Sequence, residues 1–230
     1  MKMSKRNIFI LILSIITVSC IIVGTSYHVF KYKNYKDDVE LVEYEDRTII
    51  PSFNSLIIDG YIMDIEVTTG DSYSYDISYN HNSLEPIVKI DGDALVIKQR
   101  KKPKNIGQTQ ICKAIVTIPF NEKLNKIDIE SNIGEVTVDC LSAKEVIVNT
   151  NIGHINLIDL DSEKIKGESN IGKVEIDVLG SIKDYNIDLE TNLGETKVNG
   201  RTLEKEYSSY SDSSKEIKIE TNIGEINLYQ

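Results

Sequence analysis

A chain of 230 residues with 26 Lys and Arg against 36 Asp and Glu carries a formal charge of −10. That balance argues against nucleic acid as a partner, because a phosphate backbone is held by a basic surface. There is no Trp, the apolar residues lean on Ile and Val, which suits strands, and the length allows one domain plus an appendage.

Lys2, Lys5 and Arg6 precede an apolar run from Ile8 to Val23, broken only by Ser14, Thr17, Ser19 and Cys20. A basic start followed by such a run is an export signal. As a helix it covers ~24 Å, and continuing through Phe30 brings it to the ~30 Å of a bilayer core. With no small-residue cleavage site, residues 1–30 are expected to remain as a signal anchor, a single transmembrane helix in the cell membrane. The rival is a lipoprotein signal ending at Thr17-Val18-Ser19-Cys20, with Cys20 as the lipid-bearing residue; Thr17 replaces the usual Leu, and apolar Ile21-Ile22-Val23 comes next. Lys31, Lys33 and Lys36 nearly balance the earlier basic residues, so charge barely orients the segment. Its terminal, signal-like place, with Asp37 and Asp38 closing the second basic cluster, puts the C-terminal domain outside the cytoplasm. Residues 31–50, acidic from Glu40 to Asp46, are expected to form a stalk.

Strand patterns begin at Pro51, and residues 51–230 are expected to form the folded domain. Leu56-Ile57-Ile58 runs into Asp59-Gly60, and a second strand is expected up to Thr68. Thr69-Gly70-Asp71 has the chemistry of a hairpin turn into Tyr73–Tyr79, with Tyr73, Tyr75, Ile77 and Tyr79 on one face. A second hairpin turns at Asp91-Gly92-Asp93, and Ile111–Ile118 is a strand ended by Pro119. Residues 51–119 are expected to be a β-hairpin cap over one end of the C-terminal half.

That half is a repeat. Asn-Ile/Leu-Gly, always behind Ser or Thr, occupies Asn132–Gly134, Asn151–Gly153, Asn170–Gly172, Asn192–Gly194 and Asn222–Gly224. The Asn residues recur after 19, 19, 22 and 30 positions, the near-constant period of a repeat architecture. Ile127, Ile129 and Ile133 are odd-numbered before the glycine; Val136 and Val138 are even after it, and every unit repeats this slip. Alternation marks a half-buried strand, and a one-residue slip would turn a continuous strand inside out. The chain must therefore turn a corner at each motif, with these Asn and Gly residues as the structural turn. Left-handed backbone, which Gly and Asn tolerate, is the expected reason for them.

Two short strands cannot bury their own apolar stripe, so five coils over residues 120–230 are expected to stack as a β-solenoid, each pairing with the next. A β-sandwich of ordinary hairpins is the competing reading. Stacking makes columns. Lys126, Glu145, Lys164, Asn186 and Glu216 largely alternate in charge. Ser131, Thr150, Ser169, Thr191 and Thr221 form an inward hydroxyl row, and the Asn residues an amide ladder. Glu130, Asn149, Glu168, Glu190 and Glu220 are either a solvated rim or a seat for a hard cation such as Ca²⁺.

No catalytic constellation stands out. His28, His81 and His154 are scattered, and no nucleophile, metal-ligand or phosphate-loop motif occurs. An enzyme, a cofactor and a bound metal are not expected. Cys112 and Cys140 share the parity of inward neighbours, so both are expected to be buried, as inert thiols or, if their coils are adjacent, as a disulfide. Two segments break the regularity: Gln99–Gln110, basic at Arg100, Lys101, Lys102 and Lys104, and Arg201–Lys215. The second holds Tyr207 and Tyr210 among serines, the composition of an adaptable binding loop; a plain surface excursion is the alternative.

Phe53-Asn54-Ser55-Leu56-Ile57-Ile58, Asp91-Gly92-Asp93-Ala94-Leu95-Val96-Ile97, the repeated Ser/Thr-Asn-Ile-Gly-Glu and the closing Ile217–Gly224 together resemble the bacterial putative-adhesin family, domains of unknown function, over residues 51–230. The resemblance implies an all-β, short, right-handed, single-stranded β-solenoid (β-helix), commonly on membrane-anchored or envelope proteins, and it supplies no catalytic residues. The expected function is a membrane-anchored, extracytoplasmic binding or adhesion-like module that meets an envelope protein or polysaccharide. The alternatives are an envelope-stress sensory or regulatory protein acting through a partner, and a cell-wall glycan-active enzyme.

Overall fold

The computed structural model describes residues 48–99 and 110–230. The expected anchor, Cys20, the stalk up to residue 47 and the basic cluster Arg100–Lys104 lie outside the described residues. Among the described residues no helix is long and apolar enough to cross a membrane.

Alternating apolar side chains build strands throughout. In chain order these are β1 (Thr48–Ile49), β2 (Ser55–Ile62), β3 (Asp64–Gly70), β4 (Ser74–Tyr79), β5 (Pro86–Asp91), β6 (Ala94–Gln99), β7 (Cys112–Pro119), β8 (Lys123–Ile133) and β9 (Val136–Asp139). Then come β10 (Ser142–Ile152), β11 (Ile155–Ile171), β12 (Val174–Val178), β13 (Tyr185–Leu193), β14 (Thr196–Val198), β15 (Arg201–Thr202), β16 (Glu206–Ser209), β17 (Lys215–Ile223) and β18 (Ile226–Tyr229).

They pair into two sheets whose inward residues form one buried apolar cluster. The first sheet runs β5-β6-β2-β8-β10-β11-β17-β13-β16. The second runs β1-β4-β7-β3-β9-β11-β12-β18-β14-β15. Interior neighbours are parallel, and the outermost pairs are antiparallel. The long β11 serves both sheets, its start pairing in the second and its end in the first. Each layer is thus a first-sheet strand, a corner and a second-sheet strand. The fold is all-β and solenoid-like.

The layers are not stacked in chain order, which the repeat pattern alone did not predict. β2 and β3 form a full layer between β6/β7 and β8/β9, with Gly60-Tyr61-Ile62 in register with Ser131-Asn132-Ile133. The hairpin expected at Thr69-Gly70-Asp71 does not form, because β7 lies between β3 and β4. At the other end β17/β18 sits between β11/β12 and β13/β14. The first and last layers in sequence therefore lie inside the stack. Short antiparallel strands cover the edges they leave: β1, β4 and β5 at one end, β15 and β16 at the other.

This order explains a charge pattern. Read through the stack, the column becomes Lys126, Glu145, Lys164, Glu216, Asn186. Lys164 Nζ lies 3.6 Å from both Glu145 and Glu216. Sequential stacking would have set Asn186 between Lys164 and Glu216. Exposed pairs are worth only about 0–1 kcal/mol each, but their pattern favours one register over another.

The two corners of a layer solve different problems. At the repeated motif, only Gly134 (φ +151°) enters left-handed backbone, so the expected reason for the glycines fails at the other four. Room is the reason. A Cβ added to Gly153 would lie 1.8 Å from the Gly134 carbonyl oxygen, and Gly172, Gly224 and Gly194 meet the carbonyls of Gly153, Gly172 and Gly224 at the same distance. The close approach lets each amide bond across layers, as Gly153 N–H does to Ile171 O at 3.0 Å. Left-handed backbone is instead used where second-sheet segments end: Asn121 (φ 67°), Cys140 (55°), Asp159 (50°), Gly180 (100°) and Asn199 (49°).

Three outcomes test this account. Cysteines replacing Ile171 and Ile223, on adjacent rungs ~4.8 Å apart, should oxidise to a disulfide, whereas cysteines replacing Ile171 and Leu193, two rungs apart, should not; non-reducing electrophoresis reads the difference. Gly153→Ala should destabilise by about 3 kcal/mol or more, since backbone must move, as chemical denaturation will report. Cys140→Asn should raise stability by ~0.5–1 kcal/mol, because Asn tolerates the left-handed corner better.

Candidate functional site

The motif's side chains line up along the stack. Ile62, Ile133, Ile152, Ile171, Ile223 and Leu193 form one file. The file faces outward, however, and not into the core with Ile127 and Ile129 as parity implied: Ile133, Ile152, Ile171, Ile223 and Leu193 are 41, 45, 44, 48 and 62% exposed. The last inward side chain of each unit is the Ser or Thr before the Asn, and the corner turns out everything up to the residue after Gly.

That hydroxyl row is buried and bonds across layers. Ser131 donates to Met63 O (3.1 Å), Ser169 to Gly153 O (3.2 Å), Thr221 to Gly172 O (3.2 Å) and Thr191 to Gly224 O (2.9 Å). Thr150 breaks the row: it is 5% exposed and its Oγ1 has no partner. Outside it runs the amide ladder. Asn151 Nδ2 donates to Asn132 Oδ1 (3.2 Å), Asn170 to Asn151 (3.0 Å), Asn222 to Asn170 (2.7 Å) and Asn192 to Asn222 (2.6 Å). Each interior rung gives one N–H and one lone pair to the ladder and keeps another of each for an outside partner.

Opposite the ladder stands the acidic column, in stack order Asp59, Glu130, Asn149, Glu168, Glu220, Glu190. Lys98 lies 3.7 Å from Asp59 and Lys218 2.8 Å from Glu220. Among the described residues no ion pair reaches Glu130, Glu168 or Glu190. Between ladder and column runs a groove of about 500 Å³, bordered by Asp59, Tyr61, Glu130, Asn132, Asn149, Asn151, Glu168 and Asn170, with Thr150 also lining it. A narrower stretch continues it past Glu168 along Glu190, Asn192, Glu220 and Asn222. Among the described residues no group of three or more His, Cys, Asp or Glu side chains is placed to hold a metal ion.

The other singled-out residues fall elsewhere. Much of Arg201–Lys215 is the edge cover β15 and β16. Tyr207 sits in β16 opposite Leu189 and packs half-buried on the core, while Tyr210 is 85% exposed. The two cysteines are not bonded to each other. Cys112 is buried, and burial pushes its thiol up to about 12. Cys140 is exposed, against expectation, because its left-handed corner takes it out of the strand's alternation. It bonds Asp139 Oδ1 at 3.2 Å, and that carboxylate holds its thiol at about 11. Sequence reasoning misses Asp59 and Tyr61 as members of the columns. Their unit reads Asp59-Gly60-Tyr61-Ile62, without the Asn-Ile-Gly phrase, and only the phase of the Leu56 and Ile58 alternation ahead of it could have revealed the match.

The model of the family described as Toastrack DUF4097 matches residues 53–230. This chain belongs to that family. The Toastrack match covers every layer of the stack. Among solved structures, a putative cell adhesion protein from Clostridium sporogenes is 19% identical, with a TM-score of 0.67, over 83% of this chain and 100% of that one; it shares the fold. Putative adhesins from Bacteroides fragilis (11% identity, TM-score 0.39, 82% and 97% covered) and Parabacteroides distasonis (12%, 0.31, 83% and 98%) also match. No curated protein matches the chain.

Thiol titration checks the corner. With Cys20→Ser in place, Cys140 should be the one thiol that reacts in the native state, slowly at neutral pH and faster as pH approaches about 11. Cys112 should react only after denaturation.

Proposed function

We propose that this Toastrack protein is a non-enzymatic binding module, adhesion-like in character, held at the cell membrane by its N-terminal segment with the stacked domain outside. The groove between the amide ladder and the acidic column is its binding site, and an extended envelope polymer or protein segment its ligand. The observation that carries this reading is the groove's build: two in-register rows of hydrogen-bonding side chains with capacity to spare, running along a rigid stack. The same regularity speaks against catalysis, which needs one place on the surface to differ from the rest. The coils are read as right-handed and single-stranded, the hand that parallel β connections almost always take.

A glycan array and a cell-surface capture experiment test the reading with wild type, a groove variant (Asn149→Ala with Glu168→Gln) and a loop variant (Tyr210→Ala). Retention by wild type and Tyr210→Ala, with loss in the groove variant, is the expected result. A wild-type protein that captures nothing sinks it. Protease added to intact cells should degrade the stacked domain; full protection would overturn the outward placement.

A further inference from the structure

The two ends of the stack are closed unequally. Each sheet ends in antiparallel strands: β16 and β15 at one end, β5 and β1 at the other. β1 and β15 have two residues each, and β16 has four, Glu206-Tyr207-Ser208-Ser209, none of them aliphatic. Short, polar edges resist pairing with another chain. β5 is built differently. Pro86-Ile87-Val88-Lys89-Ile90-Asp91 spans six residues and pairs with β6 along one side. Among the described residues no strand pairs with its other side.

Side chains and backbone both suit this edge to pairing. Val88 and Ile90 stand opposite Ile97 and Leu95 of β6, which are fully buried, so they share the inward face. Val88 packs half-buried on the core, and Ile90 is left 42% exposed, so the interior is not fully closed here. The Gly92-Asp93 turn closes on Asp91 opposite Ala94, a hydrogen-bonded pair. Bonded pairs then alternate back through Lys89 and Ile87, and the N–H and C=O groups of Val88 and Ile90 point away from β6.

Charge says which strand fits there. β5 carries one cation and one anion, Lys89 and Asp91, paired along the strand, so a second β5 laid antiparallel can match it. Pro86 has no N–H to give, and registers centred before Val88 lose bonds. Centring on Lys89 or on Asp91 opposes like charges, and centring on Val88 sets Asp91 against Glu85. Centring on Ile90 sets Lys89 of each copy against Asp91 of the other, and Ile90 against Ile90. We propose that the chain forms a two-fold symmetric dimer through β5, antiparallel about Ile90, which joins the first sheets of two copies into one. Val88 and Ile90 of both copies then close the open end of the core, and two lysines and two aspartates alternate on the outer face. A contact of this kind uses up the edge on both copies and stops at two.

The test uses the full chain in mild, density-matched detergent, with Cys20→Ser and Cys140→Ser in place. Lys89→Cys and Asp91→Cys proteins, differently tagged and co-expressed, should oxidise to the mixed disulfide several-fold more than either does to its own. Directly opposed residues in the non-bonded position bring their α-carbons to ~4.5 Å, within disulfide reach. Sedimentation of the chain without these edge cysteines should show a dimer that Ile90→Arg and Lys89→Asp each weaken at least ~10-fold. Adding Asp91→Lys to Lys89→Asp should restore it, which loss of folding would not allow. A monomeric wild type, a dimer indifferent to Ile90→Arg, equal yields of mixed and self disulfides, or no rescue by the charge swap overturns the proposal. A monomer in which an Ile90→Cys thiol bonds one at Leu41→Cys overturns it too, in favour of the chain's own linker as the occupant.

Discussion

One contact sets the geometry of the whole stack: the α-carbon of each motif glycine against a carbonyl oxygen of the next layer, that of Met63 for Gly134 and of another motif glycine for the other four. A methyl group there would sit 1.8 Å from that oxygen at four of the corners and 2.0 Å at Gly134. The approach seats the amide-to-carbonyl bond between layers, aligns the buried hydroxyls with the same carbonyls, and brings the Asn amides within reach of one another. The groove is thus a by-product of tight corners: what keeps the layers in step also keeps its two walls in register.

Burial follows from the same corner. Leu56, Ile127, Ile129, Val146, Val148, Ile217, Ile219 and Leu189 fill the interior from the first sheet, and Val136, Val138, Ile155, Leu157, Ile176 and Leu228 from the second, all close to fully buried. Gly167 is the exception, an inward position with no side chain, where a Cβ would already meet the Ile219 methyl at 3.0 Å. Neighbouring layers compensate for one another's sizes, as close packing requires.

Much of this was legible in the sequence. Five copies of Asn-Ile/Leu-Gly and the parity slip at each gave the strands, the corner and the three polar columns, because side-chain alternation and repeat phase are local properties. Three things were not legible. Layer order is one, since a strand such as Lys215–Ile223 fits equally well on the outer edge of β13 or between β13 and β11, and only long-range pairing decides. The outward turn of Ile133 and its equivalents is another, since alternation cannot say how many residues a corner consumes. The left-handed corners are the third. Asn121, Cys140, Asp159, Gly180 and Asn199 recur after 19, 19, 21 and 19 positions, a second period as regular as the first. Three residue types that favour this backbone hid it, together with Cys140, which does not.

The interior place of β17 has a consequence for biogenesis. β13 and β14 are made before the strands they must lie against, and until Lys215–Tyr229 arrives a slot one strand wide stays open between two parallel edges. A chain emerging from the ribosome can therefore zip its middle layers as they appear, yet cannot close until Lys215–Tyr229 are free. A premature stop ahead of Lys215 would leave an unsealed protein, with unpaired ladder groups on both lips of the gap available to any passing β-strand.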